Sequence, residues 1–261
     1  EKLGRPHNRH QIDRAWAVLR ESGFENINLD LMFALPGQTE SQWLADLNQA
    51  MALGPEHIST YCLTFEEDTA LWVKLSEGKV KRDEELEADF YLKTWETLEA
   101  GGYAQYEVSN FARTGRECIH NLNTWRMHRW LGLGPSAASQ FCGQRYANVA
   151  NLDQWLDGLN RGEPAREDVI DLTDALLATD ALIFGLRMNG GVDLALLAER
   201  FTYFDPGKIL RWAMSLTQDG LMDTGSRVLR LTRAGRLIAD QIGSTLLAAD
   251  ITKPAAEAAG R

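Results

Sequence analysis

Cysteine is scarce: Cys62, Cys118 and Cys142 are the three in 261 residues. Thiols this few and scattered build no disulfide framework and form no CxxC or CxxxCxxC cluster. They suit a reducing compartment, so the reading is cytoplasmic, with no metal–thiolate site supplied by this chain. Long apolar runs are lacking too. None approaches the roughly 18 residues that span a bilayer, which leaves only peripheral membrane contact open. Positive charge is in short supply: 27 Lys and Arg stand against 37 Asp and Glu, a formal net charge of -10. A protein that grips phosphates must bring cations to replace counterions, so a nucleic-acid partner is disfavoured. No internal repeat occurs, and no basic-then-apolar leader opens the chain. It starts on Glu1-Lys2-Leu3 rather than on Met and reads as a fragment.

What is present has the balance of a globular protein, 44% hydrophobic and 25% charged. Ile12, Ala15, Trp16 and Leu19 recur at i, i+3, i+4 and i+7, a helix that Gly23 stops. Residues 26–33 alternate like a strand. Leu35-Pro36-Gly37-Gln38 then turns, Thr39 with Gln42 makes a capping box, and Trp43, Leu47, Ala50 and Met51 stripe a second helix. His57 to Phe65 reads as a second strand, Glu66 to Arg82 as a surface loop, and Asp83 opens a third helix ended by Gly101-Gly102. Tyr103 to Ser109 reads as a third strand. Strand–helix–strand order implies parallel neighbours and α/β architecture. Two or three such strands cannot close a barrel; a six-strand core would take on the order of 120 further residues upstream, at about 30 per unit.

Glu117 to Val149 looks irregular, Asn151 to Leu159 a short helix, and Arg161 to Pro164 a linker. Further helices are expected from about Asp171 to Met188, over Val192 to Phe201 and over Pro206 to Gln218. A hairpin at 221–231 and a helix capped by Thr232 complete a pattern like a winged helix. Cys62 and Cys142 read as core.

Five segments carry a family resemblance: Leu3-Gly4-Arg5-Pro6-His7, Asn28 to Thr39, Tyr106 to Ala112, Cys118-Ile119-His120-Asn121-Leu122-Asn123-Thr124-Trp125, and Leu131 to Ala137. In this order and spacing the chain resembles the HemW-type haem chaperones, radical S-adenosylmethionine (SAM) proteins related to oxygen-independent coproporphyrinogen III oxidase. The resemblance implies an α/β fold: the C-terminal part of a partial (β/α)6 radical SAM barrel over residues 1–116, an HNxxYW-type segment and linker over 117–165, a mainly helical winged-helix-like domain over 166–250, and a flexible tail over 251–261. It also implies three cofactors: S-adenosylmethionine, haem, and a [4Fe-4S] cluster whose CxxxCxxC ligands are absent from this chain.

Carried over residue by residue, Arg5 would pair bidentately with the carboxylate of S-adenosylmethionine. Asp30, pointing inward with Asn28 and Met32, would hold the same molecule. Thr64 and Ala138 would line the adenosine through backbone contacts. His120 would contact haem iron, for which neutral imidazole is a natural ligand, with Cys118 as rival; Thr124 stands where the family usually has an aromatic. Each residue also has a structural reading: a surface arginine, an aspartate satisfied by backbone, strand-end and loop residues, and a histidine that stitches a loop. The function implied is haem delivery to acceptor proteins such as respiratory enzymes, with a homodimer open. The alternative is radical decarboxylation of coproporphyrinogen. A DNA-binding regulator built on the C-terminal module is disfavoured by the charge.

Overall fold

The computed structural model describes residues 8–67, 69–201, 205–225 and 227–249. Arg5 lies outside the described residues. The chain divides into two compact units, Glu1–Glu117 and Cys118–Arg261.

In the first unit, α1 (Arg9–Glu21) leads to β1 (Asn28–Phe33), α2 (Glu40–Ala52) and β2 (His57–Cys62). Asn8 and Gln11 form a capping box on α1, and Thr39 and Gln42 form the expected one on α2. The strands pair in parallel, Asn28 opposite His57 through Phe33 opposite Cys62. α4 (Glu84–Ala100) starts at Asp83, whose carboxylate accepts from the Leu86 N–H. One sheet face carries Leu29, Leu31, Phe33, Ile58 and Thr60 and is covered by α2 and α4. Phe33 is fully buried, with its ring 5.4 Å from Trp43 and 4.8 Å from Tyr91. Burying Phe33, Trp43, Leu47, Phe90 and Leu98 contributes roughly 1.5–3 kcal/mol each. A polar clamp ties the strand entrances together. The Glu56 carboxylate accepts from the Ile27 N–H and from Arg20, both at 3.0 Å, and Arg20 also donates to Gly54 O at 2.8 Å. Burial pushes the Glu56 carboxyl up, but the Ile27 and Arg20 hydrogen bonds outweigh it, and the net shift is downward.

Two readings of this unit need correction. The expected surface loop contains α3 (Ala70–Ser76), nucleated when the Thr69 hydroxyl accepts from the Trp72 N–H. The expected third parallel strand is instead a tight antiparallel hairpin of β3 (Ala104–Gln105) and β4 (Asn110–Ala112), in the sheet order β1-β2-β4-β3. The Glu107 carboxylate turns the chain by accepting from the Ser109 N–H and from the Asn110 side chain, local bonds that compete with an extended strand.

In the second unit, α5 (Ile119–Trp125) precedes an antiparallel sheet of β5 (Ala138–Phe141), β6 (Gln144–Asn148) and β7 (Arg166–Asp171), with α6 (Leu152–Arg161) between the last two. The stretch read as irregular therefore holds a helix and a hairpin. The hairpin turns on Cys142 and Gly143, at φ +52° and +78°, the left-handed pair that a two-residue hairpin demands. This leaves Cys142 exposed, not in the core. β7 carries one extra residue between its pairings with Arg145 and Ala147, and Asp168 there has φ +53°. The remaining order is α7 (Asp174–Leu186), β8 (Val192–Asp193), α8 (Leu194–Arg200), α9 (Pro206–Gln218), β9 (Met222–Asp223), β10 (Val228–Leu231), α10 (Arg233–Leu237) and α11 (Ala239–Ala249). β10 pairs with both β8 and β9. Gly191 allows this approach: a Cβ there would lie 2.1 Å from Leu229 O. Ala178, Leu182, Ile209, Ala213, Met222 and Leu229 form the core.

Candidate functional site

The sheet face of the first unit opposite α2 and α4 is polar. Strand alternation and register place Asn28, Asp30 and Met32 of β1 beside His57, Ser59 and Tyr61 of β2, and Asn110 of β4 opposite Ser59. His57, Ser59 and Asn110 are buried. Asp30 is exposed on β1, which is an edge of the described sheet, so the buried carboxylate expected at this position is not observed.

A hydrogen-bond chain links these groups. The Tyr106 hydroxyl lies 2.8 Å from His57 Nε2, and His57 Nδ1 lies 2.7 Å from Asn28 Oδ1. The Ser59 hydroxyl donates to the same Asn28 oxygen at 3.1 Å, and Asn28 Nδ2 donates to Asp30 Oδ1 at 2.8 Å. Burial pushes the His57 imidazole down from its ordinary value against the pull of the Asp30 and Glu117 carboxylates, so the ring is neutral at pH 7. Asn110 Oδ1 is buried with no hydrogen-bond partner among the described residues. An exposed carboxylate and an orphaned amide oxygen on one face suit a ligand rich in N–H and O–H donors. His57 and Ser59 were not singled out in the sequence, where their signal was the alternation His57-Ile58-Ser59-Thr60-Tyr61; Tyr106 and Asn110 stood in the segment Tyr106 to Ala112 without a role of their own.

At the C-terminal ends of β1 and β2, Ala34 to Gln38 border a cleft of about 110 Å³ together with Phe65 and Arg82. Thr64, next to Phe65 in the chain but not among the residues lining the cleft, is exposed, its hydroxyl donating to Glu66 at 3.0 Å. Arg82 holds Glu87 through three N–H···O contacts of 2.9–3.2 Å. Burial and the Glu87 carboxylate push the nearby Cys62 thiol up to about 12, against Arg82.

In the second unit Ala138 begins β5 and is exposed. The HNLNTW segment is helical: His120 is exposed on α5, and its carbonyl accepts from the Thr124 hydroxyl at 3.0 Å. A groove of about 400 Å³ runs past the end of α5, lined by Trp125, His128, Met188, Val192, Leu196 and Arg200 among others; His120 is not among its lining residues. The Arg200 guanidinium is committed to Arg126 O and Met127 O, each at 2.8 Å. Among the described residues no group of three His, Cys, Asp or Glu could hold a metal ion. No described helix is long and apolar enough to cross a membrane.

The fold is that of a radical SAM protein. The structure matches coproporphyrinogen III oxidase from Escherichia coli, described as a radical SAM enzyme, with a TM-score of 0.75, 21% identity, and coverage of 94% of this chain and 60% of that one. No protein-family model matches. In sequence, the chain is 33% identical to the haem chaperone HemW of Bacillus subtilis over 95% of its length, and 34% identical to that of Synechocystis over 94%. It is also 36% identical over 73% of its length to mitochondrial radical S-adenosyl methionine domain-containing protein 1 of Danio rerio. The chain is thus similar to HemW proteins along nearly its whole length. It spans 65% and 64% of the lengths of the first two relatives and 45% of the third.

Proposed function

We propose that this protein is a haem chaperone that binds haem and S-adenosylmethionine, works with a [4Fe-4S] cluster, and delivers haem to acceptor proteins in the cytoplasm, as a homodimer. One observation carries the reading: the identity to HemW proteins runs through both units, so the polar sheet face and the HNLNTW helix both lie within the matched span. The first unit is the C-terminal part of a (β/α)6 barrel, supported by a parallel strand pair with helices on one face and polar groups on the other. Residues 166–250 form a winged-helix-like domain, supported by the order helix, strand, two helices and a strand pair from α7 to β10.

Asp30, Arg5, Thr64 and Ala138 are the S-adenosylmethionine contacts. The exposed Asp30 carboxylate and the orphaned Asn110 oxygen fit that molecule, whose amino and hydroxyl groups are donors. Together with a reduced cluster it supplies one-electron chemistry. The described residues do not fit the cluster itself: Cys62 and Cys118 are half-buried at separate places, Cys142 sits in an exposed turn, and no ligand group converges. His120 is the haem contact, reachable because it is exposed on α5.

Titration of the protein with haem, followed by difference spectra, tests the reading. A saturable Soret change that weakens in His120→Ala is expected. Absence of haem binding, together with decarboxylation of coproporphyrinogen, would replace the chaperone with the oxidase.

A further inference from the structure

The hydrogen-bond chain on the polar sheet face has a fixed direction. An ionised Asp30 can only accept, so the Asn28 atom beside it must be the amide nitrogen. The Asn28 oxygen then faces His57 Nδ1, which must carry the ring proton. The neutral ring leaves Nε2 as an acceptor, and the Tyr106 hydroxyl donates to it. Every bond therefore points the same way: Tyr106 to His57, His57 to Asn28, Asn28 to Asp30. Ser59 donates to the Asn28 oxygen as well, so the amide has two donors on one end and one carboxylate on the other. Such an amide cannot flip without setting its oxygen against a carboxylate. The ring is held by burial and by an edge contact with Tyr106, centroids 5.6 Å apart. Asp30, by contrast, is an exposed residue on an edge strand of the described sheet, and among the described residues its carboxylate accepts from Asn28 alone.

We propose that His57 is a positioning residue: with Nε2 capped by Tyr106 and its Nδ1–H on the Asn28 oxygen, it fixes the Asn28 amide, which ties one Asp30 oxygen and presents the other to a donor group of the ligand. The inference rests on the proposed S-adenosylmethionine contact at Asp30, but its structural half stands without ligand. The groups that act on the ring are Tyr106, Asn28, Asp30 and Glu117; of these the Asn28 oxygen, which can only accept, selects the tautomer, and the Tyr106 hydroxyl, able to donate or accept, adapts to it.

Nitrogen NMR of the ligand-free protein tests the first half. His57 should show the neutral Nδ1–H pattern at pH 7. His57→Leu, which removes the Nδ1–H, should move the side-chain amide signals of Asn28, whereas Tyr106→Phe should leave the Nδ1–H tautomer in place, with the fold intact by circular dichroism in both. An Nε2–H ring in the wild type, or Asn28 signals indifferent to His57→Leu, would overturn the proposal. Calorimetric titration with S-adenosylmethionine tests the second half. Loss of the ordered carboxylate should raise the dissociation constant about tenfold in His57→Leu, the scale of one hydrogen bond to a charged group. His57→Asn, whose amide nitrogen can take the place of Nδ1, should stay within about threefold. If Asp30→Asn abolishes binding while His57→Leu binds like the wild type, the positioning role falls and the ligand assignment stands. If the wild type does not bind, or Asp30→Asn is without effect, the ligand assignment falls, and the NMR result alone decides the role of His57.

Discussion

Replacing Thr94 by Val should destabilise the first unit through a single orphaned donor. Thr94 is fully buried in α4; its hydroxyl donates to Phe90 O at 2.6 Å and accepts from Trp43 Nε1–H of α2 at 2.8 Å. Valine keeps the shape and removes the acceptor. Trp43 is 1% exposed, so water cannot take the place of the hydroxyl. An unsatisfied buried N–H costs about 1–3 kcal/mol. Phe90 O loses a second partner only, which is cheaper. At about 2–4 °C per kcal/mol for a protein of this size, a cost near the middle of the range lowers Tm by about 4–8 °C. Thermal and urea melts of wild type, Thr94→Val, Trp43→Phe and the double variant complete a cycle. Trp43→Phe should cost less in the Thr94→Val background than alone, because the orphaned donor leaves with the indole; a coupling of about 1–2 kcal/mol is expected. A Thr94→Val protein within about 0.5 kcal/mol of wild type, or strictly additive costs, would refute the reasoning.

Glu56→Gln should lower stability at pH 7, because the folded carboxyl sits below its ordinary value. Its contribution is complete above the unfolded value of about 4.3 and is lost as pH falls through the folded value. The Tm gap between wild type and variant should therefore close between pH 7 and pH 3; a gap constant over that range rules the clamp out. Cys142, exposed in its turn, should react with a disulfide reagent at pH 8, whereas Cys62, pushed up to about 12, should stay unmodified in the same peptide map. Fast modification of Cys62 in folded protein would contradict its half-buried setting beside Glu87.

Much of the helical framework was legible because helix ends are written locally. Thr39 with Gln42, Asp83 and Thr232 each supply a side-chain cap where a helix starts. α5 escaped because Cys118 at its start makes no side-chain cap bond and the helix is only seven residues long. The hairpin after it was hidden by its turn: Cys142 occupies a left-handed position that asparagine or glycine would have advertised. Tyr103 to Ser109 misled for a different reason. Its alternation suits a strand, but the decisive bonds of Glu107 are to its own neighbours. Asp30 could be placed on a strand face from sequence. Its link to His57 could not, since that depends on a pairing register between residues 29 positions apart.

The extra residue in β7 has a consequence for how the protein behaves in crowded solution. This strand is the outer border of its sheet, exposed along all six residues, the kind of border onto which a stray chain can zip. With Asp168 kinked out of line and Glu167 and Asp171 close by, an incoming segment would meet a bent, acidic track instead of a straight row of peptide groups. The molecule thereby carries its own guard against sticking to copies of itself along that border.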